Sequence, residues 1–268
     1  MNKFKRIILT IKLLSKKPSL INLIIESDEK WDGYLLKKHP KKTRLPIVAL
    51  EDLIPDFNET LNTFSFLGGG SLPTDIMLLK ALCRQIPNCS YFEIGTWRGE
   101  SVVNVAEVAK ECFTLNLSKQ DIANLGLPKK YAELHGLLSK GKKNITHLYG
   151  DSLFFDFNKL NKKFDVIFID GNHKHKYVKN DTEKVFNHLI KKNSIVVWHD
   201  YAYNPEKVRS EILCGILDGI PKDYQKNLYH VSNSMCAIYI NKEIKSQLPK
   251  FPIRPSKIFT VQSKIKEL

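Results

Sequence analysis

The feature that most constrains this chain is a repeated alternation of short apolar runs with helical patterns. Nearly continuous apolar runs occur at 90–95 (SYFEIG), 112–117 (CFTLNL), 145–150 (ITHLYG), 164–170 (FDVIFID), 194–200 (SIVVWHD) and 235–240 (MCAIYI). Helical patterns lie between several of them, at 100–110, 120–139, 178–191 and 205–217. A strand that is apolar along its whole length is buried on both faces, and the intervening helices supply the two covers. The pattern therefore predicts an α/β fold with a doubly wound, mostly parallel sheet. In such a sheet ligands sit beyond the carboxyl ends of the strands. The residues that close each run are thus the candidate site residues.

Three segments are expected: a basic amphipathic extension and linker at 1–48, the α/β domain at 49–245 and a basic tail at 246–268. The extension opens MNKFKRIILTIKLLSKKPSL, where Phe4, Ile7, Ile8, Ile11 and Leu14 share one helical face. Lys12 interrupts its apolar stretch and no small-residue cleavage site follows, which argues against a signal peptide. It reads either as a helix docked on the main domain or as one lying on an anionic membrane surface. Residues 30–49 read as a linker or surface arm. The formal charge of +14 is concentrated in this extension, since residues 1–44 hold twelve Lys/Arg against four Asp/Glu. That distribution argues against a nucleic-acid partner. Five Cys without a C-x-x-C pair read as buried thiols of a cytoplasmic protein, and no apolar run is long enough to span a membrane.

The first strand closes in FEIGTWRGES. Gly95 and Gly99 flank a tight turn, and a helix is expected to start near Glu100 or Ser101, presenting free amides to a negative group. The spacing is not G-x-G-x-x-G, which disfavours a dinucleotide. The fourth strand delivers Asp170, Gly171 and then His173, whose imidazole suits a general base. The fifth delivers His199 and Asp200. Asp170, His199 and Asp200 together could hold a divalent cation such as Mg²⁺; with no metal, Asp200 would orient His173. Upstream, FSFLGGGSLPTD (64–75) punctuates the chain, with Ser71 or Thr74 read as the cap of the helix that follows.

Glu93, Gly95, Thr96, Gly99 and Ser101 match, in place, the first motif of the class I S-adenosylmethionine-dependent methyltransferases. The chain resembles that family over roughly residues 65–240, and more narrowly its small O-methyltransferases related to catechol and macrolide-sugar enzymes. The resemblance implies a seven-stranded Rossmann-like sheet whose last strand is antiparallel. It implies S-adenosylmethionine as cofactor, with the glycine loop against its methionine part. Asn116 takes the place of the usual ribose-binding acid, and Asp151 and Ser152 lie at the adenine position. Asp170 stands at a carboxylate that binds the cofactor side of the site, and in metal-dependent relatives a cation. His173 stands at the base of the I-D-G-x-H motif, with Tyr177 and Asp181 downstream.

The expected activity is methyl transfer to a hydroxyl of a small molecule or glycan, with His173, Asp170 and Asp200 catalytic. A surface-glycan or lipid-linked sugar would suit residues 1–20 lying on the inner face of the membrane, and self-association is left open. Two alternatives are a non-catalytic module that binds S-adenosylmethionine and an RNA methyltransferase. The latter predicts a basic groove at the strand ends.

Overall fold

A computed structural model describes residues 1–21 and 28–267. In chain order the first elements are α1 (Lys3–Lys16), α2 (Asp28–Lys38), β1 (Ile47–Val48), α3 (Leu50–Leu53), α4 (Pro73–Arg84), β2 (Ser90–Ile94), α5 (Glu100–Val105) and β3 (Glu111–Asn116). Then come α6 (Lys119–Asn124), α7 (Lys129–Leu134), β4 (Ile145–Tyr149), β5 (Phe164–Ile169), α8 (His175–Lys184) and β6 (Ile190–Trp198). The last are β7 (Ala202–Asn204), β8 (Lys207–Val208), α9 (Ser210–Gly219), β9 (Leu228–Val231), β10 (Ala237–Ile240) and β11 (Ser246–Gln247).

The described strands form a nine-stranded sheet, β11-β1-β9-β10-β6-β5-β2-β3-β4, and a small β7-β8 hairpin. Strands β2 to β6 pair parallel, and β10 runs antiparallel to both β6 and β9. The six runs read from the sequence are all strands. The expected seven-stranded core is completed by β9 and extended at one edge by β1 and β11. Strand order reverses between β2 and β5, since β3 and β4 build outward on one side and β6 on the other. That switch point leaves a crevice at the carboxyl ends of β2 and β5.

Alternation along the central strands feeds two cores. Phe92, Ile94, Ile167, Ile169, Val196 and Trp198 enter the core shared with α8 and α9. Tyr91, Val166, Phe168, Ile195 and Val197 enter the core shared with α4 and α5. Both faces are covered, which is why these strands tolerate no polar alternation. All five Cys are buried and free.

Several local readings are corrected. Residues 30–49 are not a linker: α2 packs on α9, Leu35 and Leu45 join the core, and β1 pairs with β9. A buried Asp218 carboxylate fastens α2, accepting from Tyr34 Oη at 2.6 Å and pairing with Lys38 at 2.8 Å, His39 at 2.8 Å and His175 at 3.0 Å. The pattern over 120–139 breaks into α6 and α7, because Gly126 takes φ +74° and Pro128 cannot continue a helix. Neither Ser71 nor Thr74 caps α4. Leu72 is the cap residue, Pro73 takes the first turn, and the Asp75 carboxylate accepts from the Leu72 amide at 2.8 Å. The docked reading of residues 1–20 is not met either, since α1 buries none of its side chains. Among the described residues no helix is long and apolar enough to cross a membrane.

Candidate active site at the switch point

The loop after β2 is built around a fully buried carboxyl. Glu93 accepts from Tyr91 Oη at 2.9 Å, Ser101 Oγ at 2.8 Å and Thr114 Oγ1 at 2.8 Å. The Thr114 hydroxyl also bonds that of Thr96. Burial pushes the Glu93 carboxyl up to about 8 against the pull of its three hydroxyl donors. Glu93 thus bonds Ser101 directly and reaches Thr96 through Thr114, and these side chains brace the loop from beneath. A consequence follows for stability. A carboxyl raised from its ordinary 4.5 to about 8 stays protonated in the folded chain after the unfolded chain has ionised. Its contribution is complete below about pH 4.5 and declines as pH rises to about 8, by at most about 5 kcal/mol. Thermal midpoints across this window should fall less steeply in Glu93→Gln than in the parent. Parallel slopes would contradict the assignment.

The turn itself requires glycine. Gly95 has φ +100°, and a Cβ there would lie 2.0 Å from the Asp170 carbonyl oxygen, just beyond the paired ends of β2 and β5. At Gly99, φ is +86° and a Cβ would lie 2.5 Å from Ser139 Oγ. The segment 136–139 lies along the loop, with the Leu138 amide donating to the Arg98 carbonyl at 2.9 Å. The triple-glycine stretch is tied to the same loop. Buried Arg98 donates to the carbonyls of Gly68 at 3.1 Å and Leu67 at 3.2 Å, and pairs with Glu100 at 3.1 Å.

One side of the crevice is polar and aromatic. Asn116, at the end of β3, bonds the His135 ring. His135 packs against Trp97 and Tyr131, with ring centroids 5.2 and 5.1 Å apart. Burial lowers the His135 pKa and so favours a neutral imidazole. Trp97 Nε1 and His135 Nε2 are buried with no hydrogen-bond partner among the described residues. Such orphaned donors beside a glycine turn and an amide are what a polar ligand would satisfy, so these residues fit the expected nucleoside-bearing cofactor. Asp151 caps its own turn by accepting from the Leu153 amide at 2.9 Å. The Ser152 carbonyl accepts from Asn180 at 3.2 Å and Lys184 at 2.7 Å, fixing that turn against α8. Asp181 on α8 is also buried, which pushes its carboxyl up to about 6.

The other side holds the chemistry. Asp170 leaves β5 and Asp200 leaves β6, the latter in a left-handed turn at φ +54°. His173 Nδ1 lies 3.1 Å from Asp200 Oδ2 and Arg209 Nη1 3.3 Å from the same oxygen. His199 sits behind them, buried. Its Nδ1 is 3.0 Å from Asp170 Oδ1 and its Nε2 is 3.1 Å from Asp75 Oδ2. Burial alone would lower the pKa of His199, but the two carboxylates prevail and hold it well above the usual histidine range. It is thus an imidazolium that donates from both ring nitrogens.

Of the expected metal set Asp170, His199 and Asp200, the structure turns His199 inward, with one ring nitrogen toward Asp170 and the other toward Asp75. The residues whose ligand atoms converge are Asp170, His173 and Asp200, all within 4.8 Å of one another. The two carboxylates are a fitting partial shell for a divalent ion, with the His173 ring beside them. Asp75, Arg209, Trp97 and His135 escaped the sequence reading. Asp75 and His199 are 124 positions apart, and only the D-I at the start of the 76–86 apolar helix marks the former.

Residues 92–201 match a family model described as a methyltransferase domain. No curated protein matches the sequence. Solved structures that it resembles include SAH-bound PaMTH1, a methyltransferase of Podospora anserina. That likeness has 18% identity, covers 63% of this chain and 78% of the other, and has a TM-score of 0.45. Cofactor-bound Rv0187 from MTB is 15% identical over 66% of this chain and 84% of the other, TM-score 0.44. A provisionally named O-methyltransferase from Klebsiella pneumoniae is 16% identical over 80% of this chain and 99% of the other, TM-score 0.41.

Proposed function

Residues 92–201 being a class I S-adenosylmethionine-dependent methyltransferase domain, we propose that the protein methylates a hydroxyl of a small molecule or glycan. The observation that carries this reading is the His173–Asp200 pair at the mouth of the β2–β5 crevice, 3.1 Å apart. With Asp200 accepting from Nδ1–H, the imidazole presents Nε2 as the proton acceptor. The acceptor hydroxyl would lie against His173 and hand its proton to Nε2 as the oxygen meets the methyl carbon. S-adenosylmethionine, when bound, supplies an electrophilic methyl on a sulfonium that leaves as a neutral thioether. Gly95 lets that cofactor approach the backbone, while Asn116, His135 and Trp97 offer polar atoms on its nucleoside side.

Asp170 and Asp200 would hold a divalent cation, and its chemistry there would be Lewis-acid lowering of the hydroxyl's pKa. His199 and Asp75 fix Asp170 from behind, and Arg209 fixes Asp200, so the catalytic carboxylates have little freedom to turn. The Arg98-tied glycine stretch at 68–70 and the residues 201–205 would close the acceptor side. In this reading the protein is cytoplasmic, and contact of residues 1–20 with a membrane brings a lipid-linked or surface-glycan acceptor within reach.

The experiment is transfer of labelled methyl from S-adenosylmethionine to panels of sugars, aryl alcohols, lipid-linked sugars and RNA, with and without Mg²⁺. Labelled methyl ethers that depend on His173 support the reading. Transfer to RNA, or to nitrogen or carbon only, would replace it. Cofactor binding without transfer in every panel would favour a binding module instead.

A further inference from the structure

The site makes no use of α1. Its helix is capped by Asn2, whose side chain accepts from the Lys5 amide at 2.9 Å. Phe4, Ile7, Ile8 and Ile11 are 71, 48, 53 and 63% exposed. At 100° per residue these four and Leu14 fall within about one third of the circumference. Lys5, Arg6, Lys12 and Lys16 lie off that face, Lys3 lies near its edge, and no acidic residue precedes Glu26. Leu9 and Leu13, also exposed, are interleaved with the lysines. A folded chain leaves such a face bare only where something else covers it.

We propose that α1 docks the enzyme reversibly on an anionic phospholipid surface, with Phe4, Ile7, Ile8 and Ile11 entering the boundary between headgroups and acyl chains. This commits the membrane contact of the preceding section to one helix, one face and one lipid charge, and it needs no catalysis to be tested. Charge selects the occupant. A second copy of α1 would cover the apolar face but set two strongly cationic helices side by side. An anionic bilayer covers the same face and neutralises the charge. The long lysine stems can lie along the surface with their ammonium groups at the headgroups, while Leu9 and Leu13 face away from the bilayer. A polyanion such as RNA would meet the lysines and leave the apolar face uncovered.

The test is co-sedimentation of the full-length protein with vesicles of phosphatidylcholine alone, or with about one part in four of phosphatidylglycerol. Binding should be at least about tenfold stronger on the anionic vesicles and weaken with added salt. The double variant Ile7→Asp, Ile11→Asp should lose most of it. Because α1 buries nothing, that variant should keep the parent's melting temperature, which separates docking from misfolding. Lys5→Glu with Lys12→Glu should remove the preference for anionic lipid. Several results would overturn the proposal: no sedimentation, equal binding to neutral vesicles, or binding that survives the Asp substitutions and so comes from the basic tail. A parent dimer that the Asp substitutions convert to monomer in sedimentation velocity would assign the face to a second copy. Failure here leaves the methyl-transfer reading intact, and success leaves it unproven.

Discussion

His173→Ala should lower kcat for methyl transfer by about 10² to 10⁴-fold while leaving the affinity for S-adenosylhomocysteine unchanged. The split follows from where the side chain sits. His173 lies in the short turn between β5 and α8, partly exposed, and its polar contact is the Asp200 carboxylate. Nothing in either core rests on it, so the melting temperature should stay within about 2 °C of the parent. Asp200→Asn should also lose rate, because an amide can hold the ring in the wrong tautomer. Added imidazole should restore part of the rate to His173→Ala and none to Asp200→Asn. A loss of less than about threefold in His173→Ala would place the base elsewhere. A parallel loss of cofactor affinity would make His173 a binding residue.

The second large effect is structural. Gly95→Ala places a methyl 2.0 Å from the Asp170 carbonyl oxygen and 2.5 Å from its carbonyl carbon, at φ +100°. Both obstacles are backbone, so no side chain can turn aside. The loops leaving β2 and β5 must move apart, at a cost of about 3–5 kcal/mol, or about 10 °C in melting temperature for a chain of this length. Gly126→Ala is the control, since it has φ +74° with nothing within 4 Å of the added carbon. It should lose only the roughly 1 kcal/mol of a left-handed alanine. Denaturant midpoints that fall equally in the two variants would contradict the close approach of Gly95 to the Asp170 backbone. Because Asp170 is displaced when the loops part, Gly95→Ala should lose cofactor binding as well, even below its melting transition.

The strand ends were legible because each central strand is apolar throughout and stops at a polar residue. Asp170, His173, His199 and Asp200 could be placed together before any coordinates, since adjacent parallel strands end at the same level. Their roles were less legible. His199 looks like a ligand from its place beside Asp200, and its second ring nitrogen is taken by Asp75, which approaches from α4 and adds to the pull of Asp170. That contact is set by how α4 packs across the sheet, which no local pattern encodes. Helix α2 was misread for a similar reason: its KK and DE charges dominate eleven residues, while Leu35 alone is buried. Strand β9 is four residues long and β1 and β11 two each, too short for any periodicity to register. His135 was hidden inside what reads as one long helix. Its meeting with Asn116 depends on the break at Gly126 and Pro128.

The central claim is a cofactor site where the Gly95 turn faces Asn116, His135 and Trp97. It is tested most directly by calorimetric titration of the intact protein with S-adenosylhomocysteine, read in parallel by tryptophan fluorescence. The account predicts one site of micromolar affinity and a fluorescence change that disappears in Trp97→Phe. Affinity should weaken by about tenfold in His135→Ala, the size of one lost hydrogen bond to a buried donor. Absence of binding by a chain that circular dichroism shows to be folded would contradict it, as would binding that Trp97 does not sense.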